Sequence, residues 1–181
     1  MIDFLLHLEQ LLPVILETYG LWIYAILFLI ILGETGSVFL FFLPGDSLLI
    51  AIGALCSTTA LIHLHYMGVL LIIAATLGYT INYHTGRILG FKFFRKHPKW
   101  FKPEYIAKTT AYFEKHGGKT ILMARFIPFV RSFAPFAAGS GYMSYKSFMW
   151  YNVLGSWIWI TVLLGIGFGT GNLVSLILNV L

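Results

Sequence analysis

Four charged residues stand in otherwise apolar sequence. Glu34 and Asp46 lie in GETGSVFLFFLPGDSLLIAIGALC (33–56), and Arg125 and Arg131 lie in KTILMARFIPFVRSFAPFAAGSGYMS (119–144). On insertion scales a central charge costs roughly 2.5–3.5 kcal/mol, so four left alone would cost on the order of 10 kcal/mol. Such residues face a polar cavity or pair with one another. Two acids and two arginines can form buried salt bridges, and the same set can exchange a resting partner for a ligand. Arginine presents a planar fork of donors that suits phosphate or carboxylate. A carboxyl in low dielectric favours its neutral form, so Glu34 or Asp46 can take up a proton on one side and release it on the other.

Spacing restricts how these groups can meet. Six residues on a continuous helix turn by about 240°, so Arg125 and Arg131 on one helix would point apart. A break at Pro128 lets both aim at one point. With Pro135 and Gly139-Ser140-Gly141 as further interruptions, residues 119–144 read as a re-entrant hairpin. Residues 35–56 read as another, its tip at Pro44-Gly45, a strong helix breaker. Arms of about ten residues cannot cross roughly 30 Å of hydrocarbon. Broken backbone at that depth must be enclosed by protein or line a water-filled cavity.

The remaining elements frame these two. Residues 18–33 form most of one span, and 57–65 are a polar interval. Residues 66–86 read as a spanning helix with a small-residue face of Gly68, Ala74, Ala75, Gly78 and Gly86. Residues 147–169 form the last clear span, with Trp150, Tyr151, Trp157 and Trp159 near one end. The nine residues from Leu173 to Leu181 are too short to span alone. Residues 2–17 repeat apolar positions at helical spacing and read as an interfacial helix. They lack the basic start of a secretory signal. The expectation is a single all-α membrane domain over 1–181, a bundle whose hairpins enter from opposite faces like an inverted repeat.

Composition supports that class. Hydrophobic residues make up 59% of the 181 and charged residues only 10%; the mean hydropathy is +0.84. Soluble domains carry about a quarter charged residues, so this chain cannot coat a water-facing surface. An ordinary soluble enzyme, a disordered chain and a nucleic-acid-binding domain are excluded. The +5 net charge is concentrated: nine of the twelve Lys and Arg lie between Arg87 and Lys119. That island, 87–119, reads as a cytoplasmic loop, with a short surface helix over PEYIAKTTAYFEKHG. Cys56 is the single cysteine, so no intrachain disulfide forms.

The residues also resemble a family. GETGSVFLFFLPGDSLLIAIGAL carries an acid followed by Pro-Gly-acid, and NYHTGRILG carries Tyr-x-x-Gly-Arg-x-x-Gly. ARFIPFVRSFAPFAAGSGYM carries Arg-Phe-x-Pro-x-x-Arg with later Pro, Gly and Met. On these motifs the chain is similar to the DedA family of bacterial inner-membrane proteins, from about Tyr19 to Gly169. The resemblance implies two opposed re-entrant loops, a multi-pass protein of the inner membrane, and transport of lipid-linked cargo such as undecaprenyl phosphate or phospholipid. It also implies functions that depend on the proton motive force. By position, the family's essential acids fall on Glu34 and Asp46 and its essential arginines on Arg125 and Arg131. Pro44, Gly45, Asn82, Tyr83, Pro128, Pro135 and Gly139 are candidates for supporting the cavity or the hairpins. Two departures stand out. Many members carry an acid where this chain has Tyr79, which leaves a polar role there to be supplied in part by Asn82. Many also carry one more C-terminal span, which leaves the side of the C-terminus open.

Weaker signals point elsewhere. His63 and His65 have no third ligand nearby, so no metal site and no cofactor is expected. Arg87 reads as snorkelling to the interface, and His84 as a residue near a cavity. Gly139-Ser140-Gly141 reads as a turn rather than a nucleophile elbow. The expected function is a lipid-phosphate translocator, not an enzyme, with membrane lipid and protons as partners and self-association left open. The alternative is a proton-coupled small-solute or cation exporter, and a phosphorylated-lipid enzyme is disfavoured by the absence of histidine from both broken segments.

Overall fold

The computed structural model describes residues 22–37, 45–58, 63–96, 115, 117–127 and 130–178. Among these every regular element is helical. In chain order they are α1 (Trp22–Gly36), α2 (Gly45–Thr58), α3 (Leu64–Lys96), α4 (Lys119–Ala124), α5 (Val130–Ser140) and α6 (Tyr145–Leu178). The expected interfacial helix 2–17, residues 103–114 and 116 of the expected surface helix over 103–117, and the tip residue Pro44 lie outside the described residues.

Two stretches are long and apolar enough to cross a bilayer, Leu64–Leu89 of α3 and Tyr145–Leu176 of α6, with 26 and 32 residues. At 1.5 Å per residue they extend about 39 and 48 Å. α2, with 14 residues, reaches only about 21 Å and cannot span. The outward face of α3 is a stripe of Tyr66, Val69, Ile73, Leu77, Ile81 and Ile88. Its inward face carries Ala74, Ala75, Gly78, Asn82 and Gly86. Apolar outside and small or polar inside is the arrangement a lipid solvent selects, since lipid leaves the backbone close approach and interior hydrogen bonds to hold helices together.

The described residues divide into two compact units, one drawn from Met1–Ile30, Pro44–Leu71 and Ile160–Leu181, the other from Ile31–Leu43 and Ile72–Trp159. In the first, α2 crosses the C-terminal part of α6 with backbones nearly touching. A Cβ on Gly53 would overlap the Leu164 carbonyl, and one on Gly167 would overlap that of Ile50. The small residues are what let the pair close. In the second, Gly78 of α3 lies against the last turn of α1, where a Cβ would meet Gly36 N and Leu32 O, both at 2.9 Å. Further along, Gly86 meets the backbone of Phe136 and Gly139 meets that of Tyr83, so α3 and α5 cross glycine to backbone. Tyr79, Tyr83, Ile121, Ala124, Ala134, Ala138, Met143 and Phe148 fill the core of this unit.

Several boundaries differ from the sequence expectation. α3 does not stop near Gly86 but continues to Lys96. Gly86 is there to admit α5, not to end the helix. Pro135 and Gly139 do not break the second segment, because both lie inside α5. Proline inside a membrane helix is tolerated when neighbouring groups satisfy the backbone it frees. The interruption comes earlier, as a turn over Arg125–Ile127 in which Ile127 N donates to Ala124 O at 3.1 Å. Pro128 itself lies outside the described residues. α5 then ends with Met143 N donating to Ala138 O and Tyr142 N to Gly139 O, the paired bonds of a Schellman stop. Tyr142 takes the left-handed position at φ 56°. Residues 173–178 are not a separate segment but the last turns of α6.

Candidate functional site

The second unit gathers three of the four sequence-selected charges. Glu34, in the last turn of α1, is 1% exposed. Arg131, in the first turn of α5, donates from Nη2 to Glu34 Oε1, forming a buried ion pair. Its guanidinium carbon also stands 5.3 Å from the Trp159 ring centroid. Arg125 caps α4 and is likewise 1% exposed. Its Cζ lies 5.7 Å from the same Trp159 ring. The turn between α4 and α5 therefore does what the spacing argument required, bringing two arginines over one indole.

The ion pair is held from the side by Asn82. Its Nδ2 donates to Ser132 O at 2.8 Å and to Thr35 O at 3.4 Å. These carbonyls belong to the residues that directly follow Arg131 and Glu34. One side chain thus ties together the two backbone segments that carry the pair. Pro135 has no N–H for the Arg131 carbonyl, and Asn82 covers the acceptor one residue on. Gly78, one turn earlier on α3, gives the end of α1 room to reach this point.

Arg125 has a different environment. Its Cζ lies 3.8 Å from the Tyr79 ring centroid, a close cation–π contact. Its Nη2 donates to Asn152 Oδ1 at 2.9 Å. Asn152 is oriented by its other end, since Nδ2 donates to Thr76 O at 3.0 Å and Thr80 Oγ1 at 3.3 Å. Thr76 Oγ1 donates to Ser156 Oγ, which donates to Asn152 O. Among the described residues no carboxylate pairs with Arg125; its Nε and Nη1 are buried without a well-aligned hydrogen bond, and the Tyr79 hydroxyl lies against the same guanidinium. Desolvated cations are costly unless paired, so this one is poised for an anion.

The sequence reading placed all four charges together. Asp46 stands in the first turn of α2, half-buried at a helix N-terminus, which favours a carboxylate. Gly45 opens that helix and is buried. Tyr83 does not line the arginine site. Its hydroxyl donates to Met143 O and accepts from Arg87 Nη1 at 3.2 Å, and its ring stacks on Phe148 with centroids 4.3 Å apart. Arg87 also stands 5.9 Å from the Tyr142 ring. His84 contacts the Tyr83 and Tyr145 rings. Among the described residues no group of three His, Cys, Asp or Glu could hold a metal. The sequence reading noted Tyr79 only as a departure from the family pattern and Trp159 only as an aromatic near a span end, and it selected neither these nor Asn152 as site residues. Asn152 and Ser156 did leave a signal: two polar residues four apart in an apolar helix share one face.

Comparison with known proteins identifies the family. The VTT domain family matches residues 43–169. The chain is 49% identical over 175 residues to Protein DedA of Escherichia coli K12, covering 96% of this chain and 80% of the relative. It is 34% identical over 153 residues to inner membrane protein YqjA of the same organism, covering 83% and 68%. To inner membrane protein YghB of Salmonella typhimurium it is 34% identical over 149 residues, covering 81% and 67%. No solved structure matches. The chain belongs to the DedA family of VTT-domain proteins and is a protein of the inner membrane.

Proposed function

We propose that this DedA-family membrane protein is a transporter rather than an enzyme, and that its cargo is a lipid bearing a phosphate headgroup, undecaprenyl phosphate or a phospholipid. The observation that carries this reading is Arg125. It is a fully buried guanidinium held by an aromatic face and an amide oxygen, with two donors left for an acceptor. Phosphate oxygens match that fork. Arg131 stands beside it, committed to Glu34. Protonation of Glu34 releases Arg131 to a second oxygen of the same headgroup, which links proton uptake to capture. Residues 35–56 and 119–144 act as opposed re-entrant hairpins around the headgroup, the tail trails into lipid, and the basic 87–119 segment faces the cytoplasm.

The test is transport in vesicles. The full chain is reconstituted and a polyprenyl phosphate probe is followed across the bilayer, with an ordinary phospholipid alongside. Selective movement of the polyprenyl phosphate, lost in Arg131→Ala and Glu34→Gln, is expected. Equal movement of both lipids would make the cargo a phospholipid class. Movement of neither, with folded protein present, would refute the lipid reading and favour a proton-coupled small-solute or cation exporter.

A further inference from the structure

Arg87 does more than reach for water. It stands two residues before the end of the apolar stretch Leu64–Leu89, and Tyr145 opens the apolar stretch Tyr145–Leu176. These two ends meet, since the His84 and Tyr145 ring centroids are 5.3 Å apart. The ends of apolar stretches lie at headgroup level, where aromatic rings with a polar edge collect. A snorkelling arginine needs no protein partner. Arg87 has two. Its Nη1 donates to the Tyr83 hydroxyl at 3.2 Å, and its Cζ stands 5.9 Å from the Tyr142 ring centroid. The Tyr83 hydroxyl gives its own proton to Met143 O, so towards Arg87 it can only accept. The guanidinium is thus held by one nitrogen while the residue stays exposed. Its Nη2 and Nε have no acceptor among the described residues.

Tyr142 carries a second signal. It holds φ 56°, in the left-handed position that glycine ordinarily fills at a helix stop and where a bulky residue is an outlier. Interior packing does not account for it, because Tyr142 is 49% exposed. Its ring stands beside Arg87 instead, and strain of this kind collects at ligand clamps. The charge here is one-sided. Lys146 follows Tyr145 in the first turn of α6. Lys119 opens α4 next to Gly118, where a Cβ would overlap the Tyr151 ring of α6. Both lysines are exposed, and among the described residues no carboxylate pairs with either of them or with Arg87. We infer that Arg87, clamped by Tyr83 and flanked by Tyr142 and Tyr145, is a surface site for the headgroup of an anionic phospholipid of the surrounding bilayer, separate from the buried Arg125 site. The free guanidinium donors match the two unesterified oxygens of a phosphodiester. Three cations with no acid beside them disfavour a headgroup that carries its own cation.

The test uses the full chain in a neutral detergent and reads equilibrium binding and the thermal midpoint. The probes are short-chain phosphatidylglycerol, phosphatidylcholine with the same chains, and glycerol phosphate. The variants are Arg87→Gln, Tyr142→Gly and, as a control at the buried site, Arg125→Lys. Wild type is expected to prefer phosphatidylglycerol over phosphatidylcholine. Arg87→Gln should weaken phosphatidylglycerol about fivefold, the share of one basic residue at an anionic surface. Tyr142→Gly should weaken it too, while its lipid-free midpoint matches or exceeds wild type, because glycine adopts the left-handed backbone without strain. Arg125→Lys should keep the preference. Preference intact in Arg87→Gln overturns the inference, and its loss in Arg125→Lys alone moves the lipid to the buried site. A lower lipid-free midpoint in Tyr142→Gly with phosphatidylglycerol binding unchanged overturns the clamp and makes the ring structural. Equal binding of the two lipids, or glycerol phosphate binding as tightly as phosphatidylglycerol, overturns the anionic-lipid assignment.

Discussion

The Glu34–Arg131 pair invites a double-mutant cycle: Glu34→Leu, Arg131→Met and the two together. Both side chains are nearly sealed from solvent, at 1% and 10% exposure. Each is set against its own helix. A carboxylate in the last turn of α1 meets the negative end of the macrodipole, and a cation in the first turn of α5 meets the positive end, at about 0.3–1 kcal/mol each. Attraction between unit charges at contact is about 4 kcal/mol at an effective dielectric of 20. Against that, helices unfolded within lipid find substitute partners, which holds measured neutral interhelical bonds to about 0.6 kcal/mol on average. For a charged pair the coupling should therefore fall near 2–3 kcal/mol, between these limits. Either single change should be destabilising, and the double variant should recover most of the second loss because no charge is left buried alone. Reversible unfolding by SDS titration in mixed micelles reads all four corners of the cycle. A coupling below about 0.5 kcal/mol, the scatter of independent sites, would refute the claim that this pair holds α1 to α5.

Asn152→Asp places a carboxylate on Arg125 Nη2; the protein should fold, and polyprenyl phosphate binding should fall about tenfold or more because an internal anion competes for a charge-assisted site. Equal binding in that variant would mean Arg125 does not contact the ligand. Gly167→Leu should lower stability by about 1–3 kcal/mol or more, since even its Cβ overlaps the Ile50 carbonyl; an unchanged thermal midpoint would contradict the α2–α6 crossing. Gly117→Ala isolates backbone strain, because φ is +60° and no atom lies within 4 Å of the added methyl. A loss of about 1 kcal/mol is expected, visible as a lower midpoint of chemical denaturation.

Residue order alone reveals the solvent and the suspect charges. Membrane class follows from composition, which is a sum over residues and needs no partner to evaluate. Glu34, Asp46, Arg125 and Arg131 stood out because each charge is anomalous in its own apolar window, and the conflict between their spacing and helical geometry already demanded a break between the arginines. Partnership, by contrast, comes from packing between distant segments. Nothing local marks Glu34 as an acid for Arg131; that pairing is made 97 residues away, where Gly78 lets α1 approach α3 and Asn82 ties the carbonyls beside both charges. Tyr79 announced itself only as a departure from the family's acid; its part as the aromatic face under Arg125 shows only in three dimensions. The same holds for Gly139, which reads as a stop in one dimension and serves as a crossing point in three, whereas Gly86 already stands in the small-residue packing face of α3. Helix ends and helix contacts use the same small residues, and only the neighbouring backbone tells them apart.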